Sequence, residues 1–362
     1  MYFFSPQPLI AHHPRHLTAA WAQKILDQHI IGKKVKSVNL DSVDVGTTTR
    51  IRLSVDHNAT EVLPQKWFIK IPSLSWRAKI ITALPRLLHT EVRFYRELSH
   101  SIAINKPDAL SAKNFFISGS TLVLADLSEQ EAIPGSTSDI LSISQAHLVI
   151  EQLARLHAQF WNKAHNNPEY RWLADPVRQL EDHLGTALAV PLMKRGLNKA
   201  QSIVPSSLHA PAINYARNRR QTMRFLSQGT QTIVHHDCHP GNLFWHHSKP
   251  GLLDWQMVRI GEGISDISYF LATSLDSKSR RANENQLIEH YIKSLADQGI
   301  KQLDFKHIKQ RYRAHLVYPF EAMLVTLAVG GMMDLEANHK LIARAASAVA
   351  DNNAFSASSS KK

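Results

Sequence analysis

Cysteine is almost absent from the chain: it has only Cys238, which excludes an internal disulfide framework and a multi-cysteine zinc module. A lone thiol suits a reducing compartment. Long apolar runs are also missing, and no stretch approaches the ~20 residues that a membrane-spanning helix needs. The first ten residues are aromatic at the start but have no basic segment ahead of an apolar core, so they lack the form of a secretory signal. Acidic residues are in deficit, 30 Asp and Glu against 42 Lys and Arg, for a formal net charge of +12. Such a surplus attracts anions in general. The basic residues are nevertheless scattered, and Lys33-Lys34 and Arg219-Arg220 are brief pairs, so nothing marks a nucleic-acid-binding protein. There is no internal repeat and no complete G-x-G-x-x-G. The expectation is a soluble, cytoplasmic protein without a membrane or nucleic-acid partner.

What is present suits a folded protein. With 362 residues, 44% hydrophobic and 20% charged, the chain can build one large domain or two lobes with real cores. Thr18 precedes Trp21, Ile25, Leu26 and Ile30 at helical spacing, which predicts a first helix ending by Gly32. From Val35 to Val55 the pattern alternates around Gly46-Thr47-Thr48-Thr49, as in a β-hairpin. Trp67 to Pro72 reads as a strand stopped by its proline. A helix from about His89 to Ser99 would begin near Glu91 and bury Val92, Phe94, Tyr95 and Leu98. Phe115 to Ser118 and Thr121 to Leu124 read as two strands joined at Gly119. A linker rich in Ser, Thr, Gly and Pro follows from Ser128 to Ser144.

Beyond the linker the chain turns helical. Gln145 to Trp161 carries Leu148, Leu153, Leu156 and Phe160 as an apolar stripe. Helical segments from Pro168 to Gln228 are expected to break at Pro176, Pro191, Pro205 and Pro211. Short strands at Ile233-Val234, Leu243 to Trp245 and Gly251 to Leu253 flank a turn of His, Ser, Lys and Pro. Helices return from Ser265 to Ala350, and composition predicts a disordered tail over 351–362.

The chemistry concentrates in His235-His236-Asp237-Cys238-His239-Pro240-Gly241-Asn242 and Leu252-Leu253-Asp254-Trp255. Phosphoryl transfer needs a carboxylate near the incoming hydroxyl, a cation on the triphosphate and Mg²⁺. Hard Mg²⁺ takes oxygen ligands, commonly one or two carboxylates with phosphates. Asp237, Asn242 and Asp254 supply such a set, and the interval from Asn242 to Asp254 suits a tight hairpin. Upstream, Lys70 on a strand and Glu91 on a helix could pair as a kinase's phosphate lysine and its carboxylate partner. Lys66 lies on the same strand face and competes with Lys70. Gly46 to Thr49 could approach phosphates or could be a plain turn.

The run His235-x-Asp237-x-His239-x-x-Asn242, followed by Leu253-Asp254-Trp255, resembles the catalytic and metal-binding loops of the aminoglycoside phosphotransferase and choline kinase superfamily. Leu153-Ala154-Arg155-Leu156-His157-Ala158-Gln159-Phe160-Trp161 adds a likeness to its ecdysteroid kinase-like branch. The resemblance spans roughly Trp21 to Ala350. It implies an α+β, bilobal, protein-kinase-like fold, with a β-rich nucleotide-binding lobe over 1–125 and a mainly helical catalytic and substrate-binding lobe over 126–350. It also implies an ATP- and Mg²⁺-dependent kinase acting on a small hydroxyl acceptor as a monomer or weak homodimer. In that scheme Asp237 is the catalytic base, and Asn242 and Asp254 hold Mg²⁺. Thr47, Lys70, Glu91, Asp126 and Leu127 meet the nucleotide, with Leu124 to Leu127 as the hinge. His235 and His239 brace the loop, and Asp266 is a buried anchor. His236 stands where the family commonly has glycine, and its side chain would crowd the turn.

Other classes remain open to the residues. His235, Asp237 and His239 could bind Zn²⁺ or Fe²⁺ in a hydrolase, although that leaves Lys70, Glu91, Asn242 and Asp254 idle. Cys238 could be a nucleophile, but Asp237 beside it disfavours a thiolate. A non-catalytic kinase-like binding module would not need the full catalytic set. Phosphorylation of a protein is a further option. The segment from Pro168 to Gln228 resembles the insert that shapes a small-molecule pocket in this superfamily, which favours a small acceptor. The basic chain suits a neutral or anionic acceptor better than a polycationic one.

Overall fold

The computed structural model describes residues 9–75, 87–115, 119–164, 167–174 and 176–358. Two compact units emerge, Met1–Ile102 with Lys106–Ile133, and Ala103–Asn105 with Pro134–Lys362. The sequence places the change of character at 125–126; the contacts place it after Ile133.

The first unit is built on a five-stranded antiparallel sheet in the order β1-β2-β3-β5-β4, with β1 (Val35–Val45), β2 (Thr48–His57), β3 (Lys66–Pro72), β4 (Ala109–Phe115) and β5 (Gly119–Ala125). Alternation decides which side of β2 is buried: Ile51, Leu53 and Val55 face the core while Arg50 and Arg52 point out. The helix Ala19–Leu26 covers that face with Trp21, Ile25 and Leu26, which pack among Ile51, Leu53, Trp67, Ile69 and Val123. The Thr18 hydroxyl caps it by accepting the Trp21 N–H at 3.2 Å. The helix stops at Leu26, short of Gly32. Gly46-Thr47 forms the β1–β2 turn, as the alternation predicts. Gly119, by contrast, opens β5 and pairs with Phe115 instead of making the turn itself, and 116–118 lie outside the described residues.

The predicted helix near Glu91 is present as Leu87–Arg93, and it continues through a π-type turn, Phe94–Leu98. Glu91 therefore sits inside the helix, not at its start. Phe94, Tyr95 and Leu98 are buried as the spacing requires.

After a two-residue strand, β6 (Ile133–Pro134), the second unit is mainly helical. Ser142 and Gln145 form a reciprocal capping box, so the helix Ile143–Phe160 begins two residues before the predicted Gln145. Leu148, placed on the apolar stripe by sequence, is instead 37% exposed, and Val149 and Ile150 are buried. This helix packs along the helix Ser277–Asp297. Pro191 does not break the helix Pro176–Lys199, which runs through it. Pro176 opens that helix, and Pro211 lies in the first turn of the helix His209–Arg217, where a missing N–H costs nothing. The tail is ordered further than composition predicts: a last short helix, Ala354–Ala357, buries Ala354. Among the described residues, no helix is long and apolar enough to cross a membrane.

Two further small sheets occur among the described residues. β7 (Gln231–Val234) pairs with β10 (Arg259–Glu262), and β8 (Leu243–His246) lies between β6 and β9 (Lys249–Leu252), pairing antiparallel with β9. His247 and Ser248 join β8 to β9, both with positive φ (47° and 63°), the conformation that closes a two-residue hairpin.

Candidate active site

In the first unit, β3 alternates Trp67, Ile69 and Ile71 into the core, which turns Lys70 to the opposite face. Lys70 is still buried there, because Glu91 from the helix Leu87–Arg93 meets it with both carboxylate oxygens at 2.8 Å from Nζ. A buried charge persists only when paired in this way. Lys66 is exposed, and its backbone N–H donates to Glu129 at 2.6 Å. Of the two lysines, Lys70 therefore carries the ion pair expected of a phosphate-binding lysine.

The β1–β2 turn is held from below. The Ser73 hydroxyl donates to the Gly46 carbonyl at 2.7 Å, and the Thr49 hydroxyl accepts the Leu74 N–H at 2.9 Å. Thr47 sits at the tip between these ties and is half-buried. Asp126 is committed within its own unit: its carboxylate accepts from Arg52 Nε and Ser128 N, both at 2.9 Å, and its N–H donates to the Lys66 carbonyl at 2.9 Å. The neighbouring Leu127 carbonyl accepts the Ala132 N–H at 3.2 Å.

In the second unit, the loop between β7 and β8 carries His235 through Asn242. Its foundation is Asp266, fully buried in the first turn of the helix Ile264–Ser274. One carboxylate oxygen accepts the His235 N–H at 2.8 Å and the other the His236 N–H at 2.7 Å. His157 Nε2 lies 3.2 Å from Asp266 Oδ2, and His157 Nδ1 lies 2.9 Å from the Tyr291 hydroxyl. Asp266 thus holds two consecutive backbone N–H groups of the loop. Replacing it by Asn leaves a single acceptor oxygen for two backbone donors, and one orphaned buried N–H costs about 1–3 kcal/mol. The expected result for Asp266→Asn is an unfolding free energy in urea lowered by that amount, read as a lower midpoint with the m-value preserved; an unchanged midpoint contradicts the anchoring role.

His235 ties this loop to the next. Its ring is fully buried against Trp255, with centroids 4.7 Å apart. Nε2 donates to the Leu253 carbonyl at 2.8 Å, and Nδ1 accepts the Asp237 N–H at 3.3 Å, which fixes the neutral tautomer. His239 takes part through its backbone. Its backbone shapes the loop, with its N–H donating to the Asp237 carbonyl at 3.0 Å and its carbonyl accepting the Asn242 N–H at 2.9 Å. Among the described residues its ring makes no hydrogen bond, and Nε2 stands 3.9 Å from Asp237 Oδ1.

Asp237 is held at both carboxylate oxygens. Asn242 Nδ2 donates to Oδ2 at 3.0 Å and to the Asp237 carbonyl at 2.9 Å, and the Tyr269 hydroxyl donates to Oδ1 at 2.7 Å. Burial, then the negative charge of Asp237, push the Tyr269 phenol well above its ordinary pKa, so it remains a donor. With its amide nitrogen engaged on Asp237, Asn242 has its oxygen at the other end of the amide, the end that a hard cation takes. The β8–β9 hairpin brings the second acid alongside: Leu243 pairs with Leu252, and the Asn242 carbonyl accepts the Leu253 N–H at 2.8 Å. Asp254 then takes a left-handed conformation, φ 59° and ψ 69°, where the chain leaves the hairpin. Asp and Asn tolerate that region better than most residues.

His236 also has a positive φ, 68°, at the position where glycine is common in the family it resembles. The crowding expected of its side chain is relieved by stacking: the imidazole lies on Tyr318 with centroids 4.0 Å apart and planes 24° apart. Arg259 Nη1 is 3.5 Å from His236 Nε2, and its Nη2 reaches the Asp182 carboxylate at 3.1 Å. Cys238 is fully buried, and burial followed by Asp266 and Asp237 raises its thiol well above the ordinary value, which disfavours a nucleophilic thiolate. Among the described residues, no three or more His, Cys, Asp or Glu side chains are grouped to hold a metal. Both nitrogens of His235 are already hydrogen-bonded, to the Leu253 carbonyl and the Asp237 N–H, so neither is free as a metal ligand. A pair of oxygen donors completed by phosphates suits Mg²⁺ instead.

Three residues in this network have no precursor in the sequence reading as site residues: Tyr269, His157 and Tyr291. For two of them spacing gives a helix face but not the partner. Tyr269 is three residues after Asp266 and hence on the same helix face, and His157 is four after the buried Leu153.

The fold has known counterparts. The chain covers 92% of its own length and 94% of a choline kinase from Cryptosporidium parvum Iowa II, with a TM-score of 0.52 and 12% identity. It covers 94% of itself and 99% of the GDP complex of a point mutant of aminoglycoside 2′-phosphotransferase-IIIa, with a TM-score of 0.51 and 12% identity. These likenesses establish the α+β, kinase-like fold, a sheet-based N-terminal region followed by a helical C-terminal region. Among curated protein sequences nothing matches. The family match is direct: the model of the ecdysteroid kinase-like family fits residues 45–305, and the chain belongs to that family.

Proposed function

We propose that the protein is an ATP- and Mg²⁺-dependent kinase that phosphorylates a hydroxyl of a small molecule. Family membership supports a kinase-type function. The observation that carries the finer reading is Asp237, a carboxylate oriented at both oxygens with Asn242 and the Asp254 hairpin beside it. In the proposed reaction the acceptor hydroxyl oxygen bonds to the γ-phosphorus as the bond to the ADP oxygen breaks, and Asp237 takes the hydroxyl proton. Asn242 and Asp254 would hold Mg²⁺, which when bound neutralises phosphate charge. Lys70, aligned by Glu91, would bind nucleotide phosphate, and Thr47 at the turn tip would meet it. Of the hinge pair Asp126 and Leu127, the Asp126 backbone N–H and side chain are already bonded within the fold, so adenine would be read by other backbone groups.

The acceptor is a small alcohol. The structural counterparts include a choline kinase and an aminoglycoside phosphotransferase, but a net charge of +12 favours a neutral or anionic acceptor over a polycation. We place the enzyme in the cytoplasm as a monomer or weak homodimer, a setting that suits its single buried cysteine. The test is Mg²⁺-dependent ADP release over a panel of alcohols, sugars, steroids and amino alcohols. One or more panel members should accelerate release well above the water-only rate; acceleration by none of them, with ATP bound, supports a non-catalytic binding module instead. In Asp254→Ala, Mg²⁺ should no longer tighten nucleotide binding, an expected loss of about tenfold or more in affinity at millimolar Mg²⁺. An unchanged Mg²⁺ titration removes Asp254 from the metal site.

A further inference from the structure

We infer that Tyr269 is a positioning residue for the transfer reaction: its hydroxyl fixes the carboxylate plane of Asp237 so that the base presents one constant geometry to the acceptor. This rests on the proposed role of Asp237 and adds to it a residue that no sequence motif marks.

A carboxylate on a loop rotates about its Cβ–Cγ bond unless both oxygens are held. Asn242 holds Oδ2, but Asn242 is also a candidate cation ligand, and its amide must serve two partners. Tyr269 holds Oδ1 at 2.7 Å from a different element. Its ring is buried, 1% exposed, in the helix Ile264–Ser274, all of whose side chains are buried. The donor is therefore fixed by packing and does not depend on the loop.

The placement of Tyr269 on that helix extends the argument. Asp266 and Tyr269 are three residues apart and share a helix face. Asp266 grips the loop's backbone at His235 and His236, and Tyr269 grips its side chain at Asp237. One rigid helix thus sets both the path of the loop and the direction of its carboxylate. Tyr318 lies 5.8 Å from the Tyr269 ring and stacks on His236, closing the same cluster from the helix Val317–Val329. A fixed carboxylate matters because misplacing a reacting group by about 1 Å can cost about a hundredfold in rate.

The experiment uses the full-length enzyme with the best acceptor from the ADP-release panel. Tyr269→Phe removes the hydroxyl and keeps the ring; Tyr269→Leu removes both. The expected result is a fall in kcat of about ten- to a hundredfold in both variants, with KM for ATP within about twofold of the parent in Tyr269→Phe and a lowered Tm in Tyr269→Leu only. Loss of rate would then follow the hydroxyl and not the packing. A Tyr269→Phe enzyme with the parental kcat overturns the inference, as does one whose loss lies entirely in KM for ATP. Asp237→Asn, run in parallel, separates this from the underlying reading: if that variant is fully active, the role of Asp237 fails, whereas an inactive Asp237→Asn with a normal Tyr269→Phe removes Tyr269 alone.

Discussion

Lys70→Met is expected to destabilise the first unit by about 3 to 5 kcal/mol, the usual cost of leaving one member of a buried ion pair without its partner. Glu91 is 1% exposed and meets Lys70 with both oxygens, so water cannot readily replace the lost ammonium. Glu91→Leu should cost a similar amount for the converse reason. The double variant Lys70→Met/Glu91→Leu is the informative one. Two apolar side chains of similar volume need no charge compensation, and buried ion pairs exchanged for well-packed apolar residues are often neutral in stability. The double variant should therefore regain most of the stability lost by either single change. It should not regain activity, because the lysine proposed to bind phosphate is gone. Denaturant midpoints of the four proteins, with kcat/KM for ATP, test both halves. If the double variant recovers activity along with stability, the pair is structural and Lys70 has no part in nucleotide binding.

Asp237→Asn is expected to lower kcat by about 10³-fold or more, within the range usual for a general base with added orientation effects. The change is nearly isosteric, and the amide oxygen can still accept from Asn242 or Tyr269, so the fold should persist. Nucleotide affinity should stay within about threefold, because the groups proposed to hold phosphate and metal are Lys70, Asn242 and Asp254. A large loss of ATP affinity in Asp237→Asn would instead assign the residue to nucleotide or metal binding.

The site is partly legible in the sequence, and the division follows the distance over which residues are brought together. Asp237, Asn242 and Asp254 are readable because a short loop and one hairpin suffice to assemble them; Leu253 N–H meets the Asn242 carbonyl across that hairpin. Lys70 and Glu91 are readable because a strand followed by a helix is a local pattern, although the helix begins before Glu91 and not at it. Tyr269 is not readable in this way. Its bond to Asp237 depends on how the helix Ile264–Ser274 packs beneath the loop, which no spacing dictates. The same holds for His157 and Tyr291, hydrogen-bonded across 134 residues. His239 joins the loop's hydrogen bonding through its backbone N–H and carbonyl, a detail that its motif position does not specify.

In the fold, composition errs where packing overrides it. Pro191 continues a helix that packs on the helix Val317–Val329. Leu148 leaves the apolar face to Val149 and Ile150 because, at about 100° per residue, its place five residues before the buried Leu153 puts it roughly 140° round the helix from that residue.

The central claim is that this chain moves phosphate from ATP to a small alcohol through Asp237. The most direct measurement is mass spectrometry of the acceptor after incubation with γ-¹⁸O-labelled ATP and Mg²⁺, comparing the parent protein with Asp237→Asn. The expected result is a labelled phosphomonoester formed by the parent and essentially none by the variant, while both bind ATP with similar affinity. Labelled product at equal rates from both proteins, or labelled inorganic phosphate without any phosphorylated acceptor, would contradict it.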